Sequence, residues 1–171
     1  MFKYIKIILI TSFATFTLGF SQDDFSLSFD GEDDYIQITD DPSLAFSDVT
    51  IAFLIKTDSN VGGRIIIKDA NPEPIGGDWG IGINDNGNIT INFYKQSGDE
   101  AGYNNFSGLE VINDNTWHSV IITRESSSGL AEIWIDGVLD ATDNNGPLGE
   151  IYNDTDLNIG RLDIAEGNFF S

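Results

Sequence analysis

The segment from Thr116 to Val138 reads TWHSVIITRESSSGLAEIWIDGV, and it constrains the fold more than any other part of the chain. Residues 117–124 are rich in β-branched side chains, residues 126–129 interrupt that pattern, and residues 130–135 resume it. Asp136 and Gly137 then suit the two positive-φ positions of a tight hairpin turn. The segment therefore predicts two antiparallel β-strands.

Short β-rich runs separated by Gly, Asn and Asp continue through the rest of the chain, and we find no helical periodicity of useful length. The predicted strands are residues 25–29, 35–38, 49–56, 64–68, 79–83, 88–94, 109–112, 117–124, 130–135 and 157–160. Two long loops are expected at residues 69–78 and 97–108. Short strands at this spacing predict an all-β, antiparallel sandwich.

Several phrases of the sequence, in this order, resemble laminin-G-like, concanavalin A-like jelly-roll domains. They are LSFDGEDDYI at residues 27–36, WGIGI at 79–83, the WHSVIIT strand with its IWIDGV partner, and LNIG at 157–160. The resemblance covers nearly all of residues 22–171 and implies a jelly-roll β-sandwich. It constrains function less, because one fold serves many functions.

The end of the chain departs from that family pattern. A strand of the form F-x-G-x-I-D-E-V-R-I-Y usually follows L-x-I-G, whereas this sequence stops at Ser171. We therefore expect a sandwich lacking its last C-terminal strand, with an unpaired edge beside a strand at 25–29. Either the chain is the N-terminal part of a larger protein, or a partner donates the missing strand.

The first 21 residues have the pattern of a cleavable export signal. Lys3 and Lys6 precede an apolar run at residues 7–18, and small residues at Gly19 and Ser21 predict cleavage before Gln22. A membrane anchor is the alternative, but the run of about a dozen residues is short of the roughly 20 needed to span a bilayer. We expect a secreted or cell-surface protein with one domain at residues 22–171 and no membrane insertion after cleavage.

The chain is strongly acidic and has no cysteine, with 8 Lys+Arg against 28 Asp+Glu and a net charge of −20. Such a charge disfavours nucleic acid and anionic membranes as partners. An exported domain without disulfides is held by its core or by a metal, and is more typical of bacteria than of animals.

Catalytic signatures are missing from the sequence, so we expect a protein that is not an enzyme. Glu132 and Asp136 share one strand face, but four residues at 3.3 Å each separate them by about 13 Å, too far for a retaining glycosidase pair. His118 is the sole histidine, and no G-x-S-x-G motif accompanies it. We therefore interpret His118 as structural.

One acidic turn is a candidate calcium site. Asp30, Gly31, Asp33 and Asp34 could supply oxygen ligands, and similar domains often hold calcium at the rim of the sandwich. The alternative is a solvated acidic turn.

Aromatic residues with polar neighbours are the candidates for ligand binding. Trp134 and Glu132 share the more polar face of their strand, which makes Trp134 the best exposed platform. Further candidates are Trp79, Tyr94 and Tyr103, although for Trp79, as for Trp117, a place in the core is favoured. Something is also expected to pack closely on Gly80 and Gly82.

These observations favour a secreted, non-catalytic binding or adhesion module that recognises a carbohydrate or an extracellular protein. Two alternatives stay open: an accessory domain of a glycan-active enzyme whose catalytic part lies beyond residue 171, and a structural spacer.

Overall fold

The computed structural model describes residues 26–69, 77–95 and 100–160. Within these ranges the chain forms a six-stranded and a four-stranded sheet, both antiparallel. The strands are β1 Ile36–Ile38, β2 Val49–Ile55, β3 Gly63–Lys68, β4 Gly77–Ile83, β5 Ile89–Lys95, β6 Gly102–Ser107, β7 His118–Glu125, β8 Leu130–Ile135, β9 Val138–Asp143 and β10 Leu157–Ile159. The sheet orders are β1-β10-β3-β4-β5-β6 and β2-β7-β8-β9. The predicted all-β jelly-roll sandwich is confirmed.

The core lies between the two sheets, where alternate residues of each strand meet. Ile81, Ile91 and Phe93 face it from the six-stranded sheet, and Val120, Ile122 and Ile133 from the four-stranded sheet. Phe46 packs the edge of its ring against Trp79 and Phe93, at centroid distances of 5.4 and 6.3 Å.

Two hairpins contain tight turns at the Gly-, Asn- and Asp-rich positions that separate the predicted strands. Asp136 and Gly137 adopt φ values of 49° and 79° between β8 and β9, as a type I′ turn requires. Between β4 and β5 the Gly87 N–H donates to the Asn84 carbonyl at 2.9 Å.

The glycines of β4 are closely covered, as predicted. A Cβ on Gly80 would lie 3.0 Å from Asn92 Oδ1 and 3.2 Å from Ile67 Cγ1, and one on Gly82 would lie 2.7 Å from the Gly63 carbonyl oxygen. Neighbouring groups of the same sheet therefore fill this space.

The prediction of a strand at residues 25–29 is wrong for residues 26–29, the part that the structure describes. Residues 26–29 form no strand, and Leu27 is 69 % exposed. The alternation of apolar residues is real, but a strand also needs a hydrogen-bonding partner, and β1 is paired with β10 instead. Because residues 26–29 form no strand, the prediction of an unpaired sheet edge beside that strand fails as well.

The strand predicted at residues 109–112 is also wrong. The Asp140 carboxylate accepts the backbone N–H groups of Leu109 and Glu110, and Asn88 donates to their carbonyls, so side chains satisfy this backbone in place of a ladder. The neighbouring strand β6 instead lies inside the loop predicted at 97–108. Strand β9 after the Asp136–Gly137 turn was also not predicted.

The predicted signal at residues 1–21, most of the 69–78 loop and the end of the chain from residue 161 lie outside the described residues. Within the three described ranges no helix has the length and apolarity to cross a bilayer.

Candidate functional site

The outer face of the four-stranded sheet carries two rows of cross-strand neighbours. The first, which we call the polar row, consists of Thr50, Thr123, Glu132 and Thr142. The second, the apolar row, consists of Ala52, Ile121, Trp134 and Leu139. Alternation along each strand creates the rows, because the residues between them point into the core.

Glu132 connects the two rows. Its Oε2 accepts one hydrogen bond from Thr123 Oγ1 and another from Trp134 Nε1, each at 3.1 Å. The half-buried Trp134 indole is therefore held in place by its own N–H group, while Ile121 and Leu139 flank it on the neighbouring strands. Sequence reasoning predicted the shared face of Glu132 and Trp134, and the structure confirms it.

An open depression of about 350 Å³ lies at the end of the polar row. It is lined by Asp48, Val49, Thr50, Thr123, Arg124, Glu125, Leu130 and Glu132. Sequence reasoning missed the contribution of Asp48, Thr50 and Thr123. Alternation alone could place Thr123 on the outer face, but only the register of β2, β7 and β8 brings these residues together.

The charge of the depression is negative. Asp48 accepts the Ser126 backbone N–H at 2.7 Å. This bond lowers the pKa of Asp48, with smaller contributions from the Ser126 hydroxyl and the charge of Arg124. Glu125 and Glu132 add two further carboxyl groups to the lining.

Arg124 belongs to the lining, but its guanidinium group points into the protein. It donates to the carbonyl oxygens of Ser47, Pro147 and Gly149, and lies 5.9 Å from the centre of the Phe93 ring. Burial lowers its pKa, an effect that the charge of Asp48 partly offsets. Arg124 is 3 % exposed and holds loops together beneath the depression.

Tyr94 and Tyr103 form a separate aromatic pair on the outer face of the six-stranded sheet. They are direct cross-strand partners, with ring centroids 5.4 Å apart in an edge-to-face arrangement. Tyr103 is 50 % exposed. The predicted aromatic candidates are thus divided between the two outer faces and the core.

The other two tryptophans have opposite environments. Trp79 is 5 % exposed and packs in the core, away from either outer face. Trp117 is 55 % exposed, so its expected place in the core is wrong. Side chains alternate between the two faces along β7, and its inward positions are the even-numbered Val120, Ile122 and Arg124. The odd-numbered Trp117 follows the outward positions.

His118 lies between two carboxylates at one end of the sheet. Its Nδ1 is 2.8 Å from Asp136 Oδ2 and its Nε2 is 3.2 Å from Asp114 Oδ1. Burial lowers its pKa, but the hydrogen bonds and charges of Asp136 and Asp114 outweigh that effect and the pKa is raised. The side chain is 12 % exposed and ties a loop to the β8–β9 turn, in agreement with its structural interpretation.

Thr116 adds a contact that resembles part of a catalytic triad, because its Oγ1 lies 3.1 Å from His118 Nε2. However, Thr116 Oγ1 donates to Asp114 Oδ1 at 2.7 Å. The arrangement is therefore suited to cross-linking the loop rather than to activating Thr116.

The acidic turn brings Asp30, Asp33 and Asp34 together, with one carboxylate oxygen from each lying within 4.8 Å of the others. Oxygens at that spacing can all reach one Ca²⁺ at 2.3–2.6 Å. Gly31, with φ of 76°, lets the backbone turn. Asp30 Oδ1 already accepts the N–H groups of Glu32 and Asp33, which lower the Asp30 pKa and keep it ionised. The turn thus offers carboxylate oxygens for part of the six to eight ligand positions that Ca²⁺ takes.

A family model described as the concanavalin A-like lectin/glucanases superfamily matches residues 30–171. The chain belongs to this superfamily. No match was found among curated protein sequences.

Solved structures from animals and bacteria share the fold. Domains LG4-5 of the mouse laminin α1 chain align with a TM-score of 0.56 and 14 % identity over 78 % of this chain and 33 % of theirs. The binding domain of Paraclostridial Mosquitocidal Protein 1 aligns with a TM-score of 0.59 and 18 % identity, over 79 % of this chain and 34 % of that protein. The CBM40 module of Ruminococcus gnavus IT-sialidase, bound to α2,3-sialyllactose, aligns with a TM-score of 0.57 and 14 % identity. The alignment covers 81 % of this chain and 85 % of the module. This chain thus spans about a third of the laminin and toxin chains.

Proposed function

We propose that this domain is a non-catalytic carbohydrate-binding module, and that the outer face of its four-stranded sheet is the binding face. The observation that carries the proposal is the Glu132 carboxylate, which anchors the Trp134 indole beside the open depression. Its superfamily includes lectins, and among the similar structures are a sugar-bound module and a toxin's binding domain.

The chemistry of the face suits a sugar. An aromatic ring offers a flat apolar surface for the C–H groups of a pyranose, while carboxylate and hydroxyl oxygens bind its hydroxyl groups. In the hydrogen bonds among the described residues Glu132 uses only Oε2, so its Oε1 is oriented by two existing bonds and can accept a ligand hydroxyl. Thr50 and Thr123 add hydroxyls at the same end.

Binding of oligosaccharides to wild type and to Trp134→Ala, measured by glycan array and calorimetry, tests the proposal. We expect the variant to lose about 2 kcal/mol of binding free energy, roughly thirtyfold in Kd, as for a central tryptophan of an interface. Trp117→Ala is the matched control, because Trp117 is exposed beyond the other end of β7. Unchanged binding by Trp134→Ala would contradict the proposed face.

A third variant separates the two aromatic surfaces. Tyr103→Ala removes the exposed member of the Tyr94–Tyr103 pair on the other sheet. Binding that Tyr103→Ala retains and Trp134→Ala loses supports the Trp134 face, whereas loss in Tyr103→Ala alone points to the six-stranded sheet.

We further propose that the protein is exported by a bacterium, a proposal supported by the signal-like pattern of residues 1–21 and by the absence of cysteine. An accessory role beside a glycan-active catalytic domain is the alternative. If no oligosaccharide binds, an extracellular protein partner or a spacer role replaces the carbohydrate proposal.

Calcium at Asp30, Asp33 and Asp34 is a separate proposal, supported by the spacing of their oxygens. A ligand that binds only the folded state raises its stability in proportion to RT ln(1 + [L]/Kd). We expect 5 mM CaCl₂ to raise Tm more than NaCl of equal ionic strength does, and Asp33→Asn to abolish the difference. Equal Tm values in the two salts would contradict a calcium site.

A further inference from the structure

The depression on the proposed binding face presents carboxylates without an accessible cation. Asp48, Glu125 and Glu132 contribute three carboxyl groups to the depression beside Trp134. Arg124 is the only basic residue among the lining residues, and its guanidinium is engaged by backbone carbonyls on the inner side. An acidic group on a ligand would therefore meet repulsion here with no counter-charge.

The other basic residues among the described ranges lie elsewhere. Arg64, Lys68 and Lys95 belong to strands of the six-stranded sheet. Lys56 follows the far end of β2, six residues from Thr50, which corresponds to about 20 Å along a strand. Lys56 is therefore not among the residues that line the depression, and at physiological ionic strength, where the Debye length is about 8 Å, its charge is largely screened there.

The indole ring of Trp134 adds to the repulsion of acidic ligand groups. The face of an indole ring carries the negative side of its quadrupole, which attracts C–H groups and cations and repels anions. The Trp134 ring and the three carboxylates therefore discriminate in the same direction.

We infer that this face selects uncharged or amino sugars and excludes acidic sugars such as sialylated, sulfated or uronic acid residues. The inference rests on the proposed carbohydrate-binding function and names its substrate class. The CBM40 module of similar fold is bound to a sialylated sugar, so a shared fold alone would not predict the exclusion.

The test is a glycan array of matched pairs, in which each neutral oligosaccharide stands beside its sialylated, sulfated and uronic acid counterparts. We expect wild type to bind the neutral members at least about tenfold more tightly at 20 mM NaCl, because like charges at close range are strongly unfavourable. The difference should narrow at 500 mM NaCl, where screening acts over a few ångströms.

Two variants with the same change in net charge separate the local effect from the overall charge of −20. Glu125→Gln removes a carboxylate that lines the depression, and we expect it to narrow the neutral-to-acidic ratio severalfold. Glu32→Gln removes one from an exposed turn before β1, an edge strand of the six-stranded sheet, and we expect the ratio to stay as in wild type.

Each outcome of the array has a distinct meaning. A neutral preference that Glu125→Gln narrows supports the inference. Equal or tighter binding of acidic members at low salt overturns the selectivity but leaves the carbohydrate-binding function standing. If both variants change the neutral-to-acidic ratio equally, the selectivity does not arise from this face and the inference is overturned. Binding of neither class overturns the proposed function, and the inference with it.

Discussion

Among single residues, Lys68 makes the most demanding set of contacts. The side chain is 1 % exposed, and its Nζ donates to Asp40 at 2.6 Å and to the carbonyls of Asn153 and Thr155 at 3.0 and 2.5 Å. All three ammonium donors are therefore used, and the charge of Asp40 compensates the buried cation.

Substitution of Lys68 by Met should lower the free energy of unfolding by about 3–5 kcal/mol, because it leaves the partners of a buried ion pair uncompensated. Urea denaturation followed by fluorescence measures the change. Lys95→Met is the matched control, since Lys95 pairs with Glu100 at a more exposed site with side-chain exposures of 23 % and 54 %. We expect the control to lose less than about 1 kcal/mol. Similar losses in both variants would show that Lys68 is not a buried, compensated charge.

His118 predicts a dependence of stability on pH. Its pKa is raised in the folded state, because the hydrogen bonds and charges of Asp136 and Asp114 outweigh the opposing effect of burial. The folded state therefore binds the proton more tightly than the unfolded chain does. The resulting stabilisation is complete below the unfolded pKa, near 6.5, and is lost as the pH rises through the folded pKa.

The sole histidine makes this prediction directly measurable by NMR, since one imidazole gives one titrating signal. We expect the folded pKa to exceed the value measured in urea, and Asp136→Asn to reduce the difference. The stability that His118→Gln loses relative to wild type should be larger at pH 5.5 than at pH 8.5. A folded pKa at or below the urea value would contradict the charged contacts.

At the level of strands and turns, the β8–β9 hairpin depends on backbone conformation more than on space. Gly137 has φ of 79°, yet a Cβ added there would meet nothing within 4 Å. A substitution at this position therefore tests the cost of a left-handed conformation without a steric clash.

Gly137→Ala should destabilise the protein by about 1–2 kcal/mol, the cost of the left-handed region for an L-residue. Gly137→Asn should lose less, because Asn tolerates this region better than Ala. Thermal unfolding of both variants beside wild type gives the comparison. If Ala and Asn prove equally costly, the loss does not arise from the φ angle.

For the whole molecule, the net charge of −20 opposes the compact state. Salt screens that repulsion, since the Debye length falls from about 30 Å at 0.01 M to about 3 Å at 1 M. We expect Tm to rise by a few degrees between 20 and 500 mM NaCl, and equally in KCl. A constant or falling Tm would show that repulsion between carboxylates does not limit stability.

The sequence by itself determined the sandwich, the hairpin turn at Asp136–Gly137 and the shared face of Glu132 and Trp134. These features depend on local rules, namely the period-two alternation of strands and the φ preferences of turn residues. The same rule would have placed Trp117 outward, had its alternation with Val120 and Ile122 been followed.

Only the tertiary structure decided which strands pair and which residues meet across them. It left residues 26–29 without a ladder, made a strand of the polar β6, and separated the Tyr94–Tyr103 pair from Trp134. It also brought Thr50 beside Thr123 and Glu132, in a register that pairs β2 with the β7–β8 hairpin, which is distant in sequence. Register and sheet order are determined by packing of the whole core, because a strand's own residues specify its faces but not its neighbours.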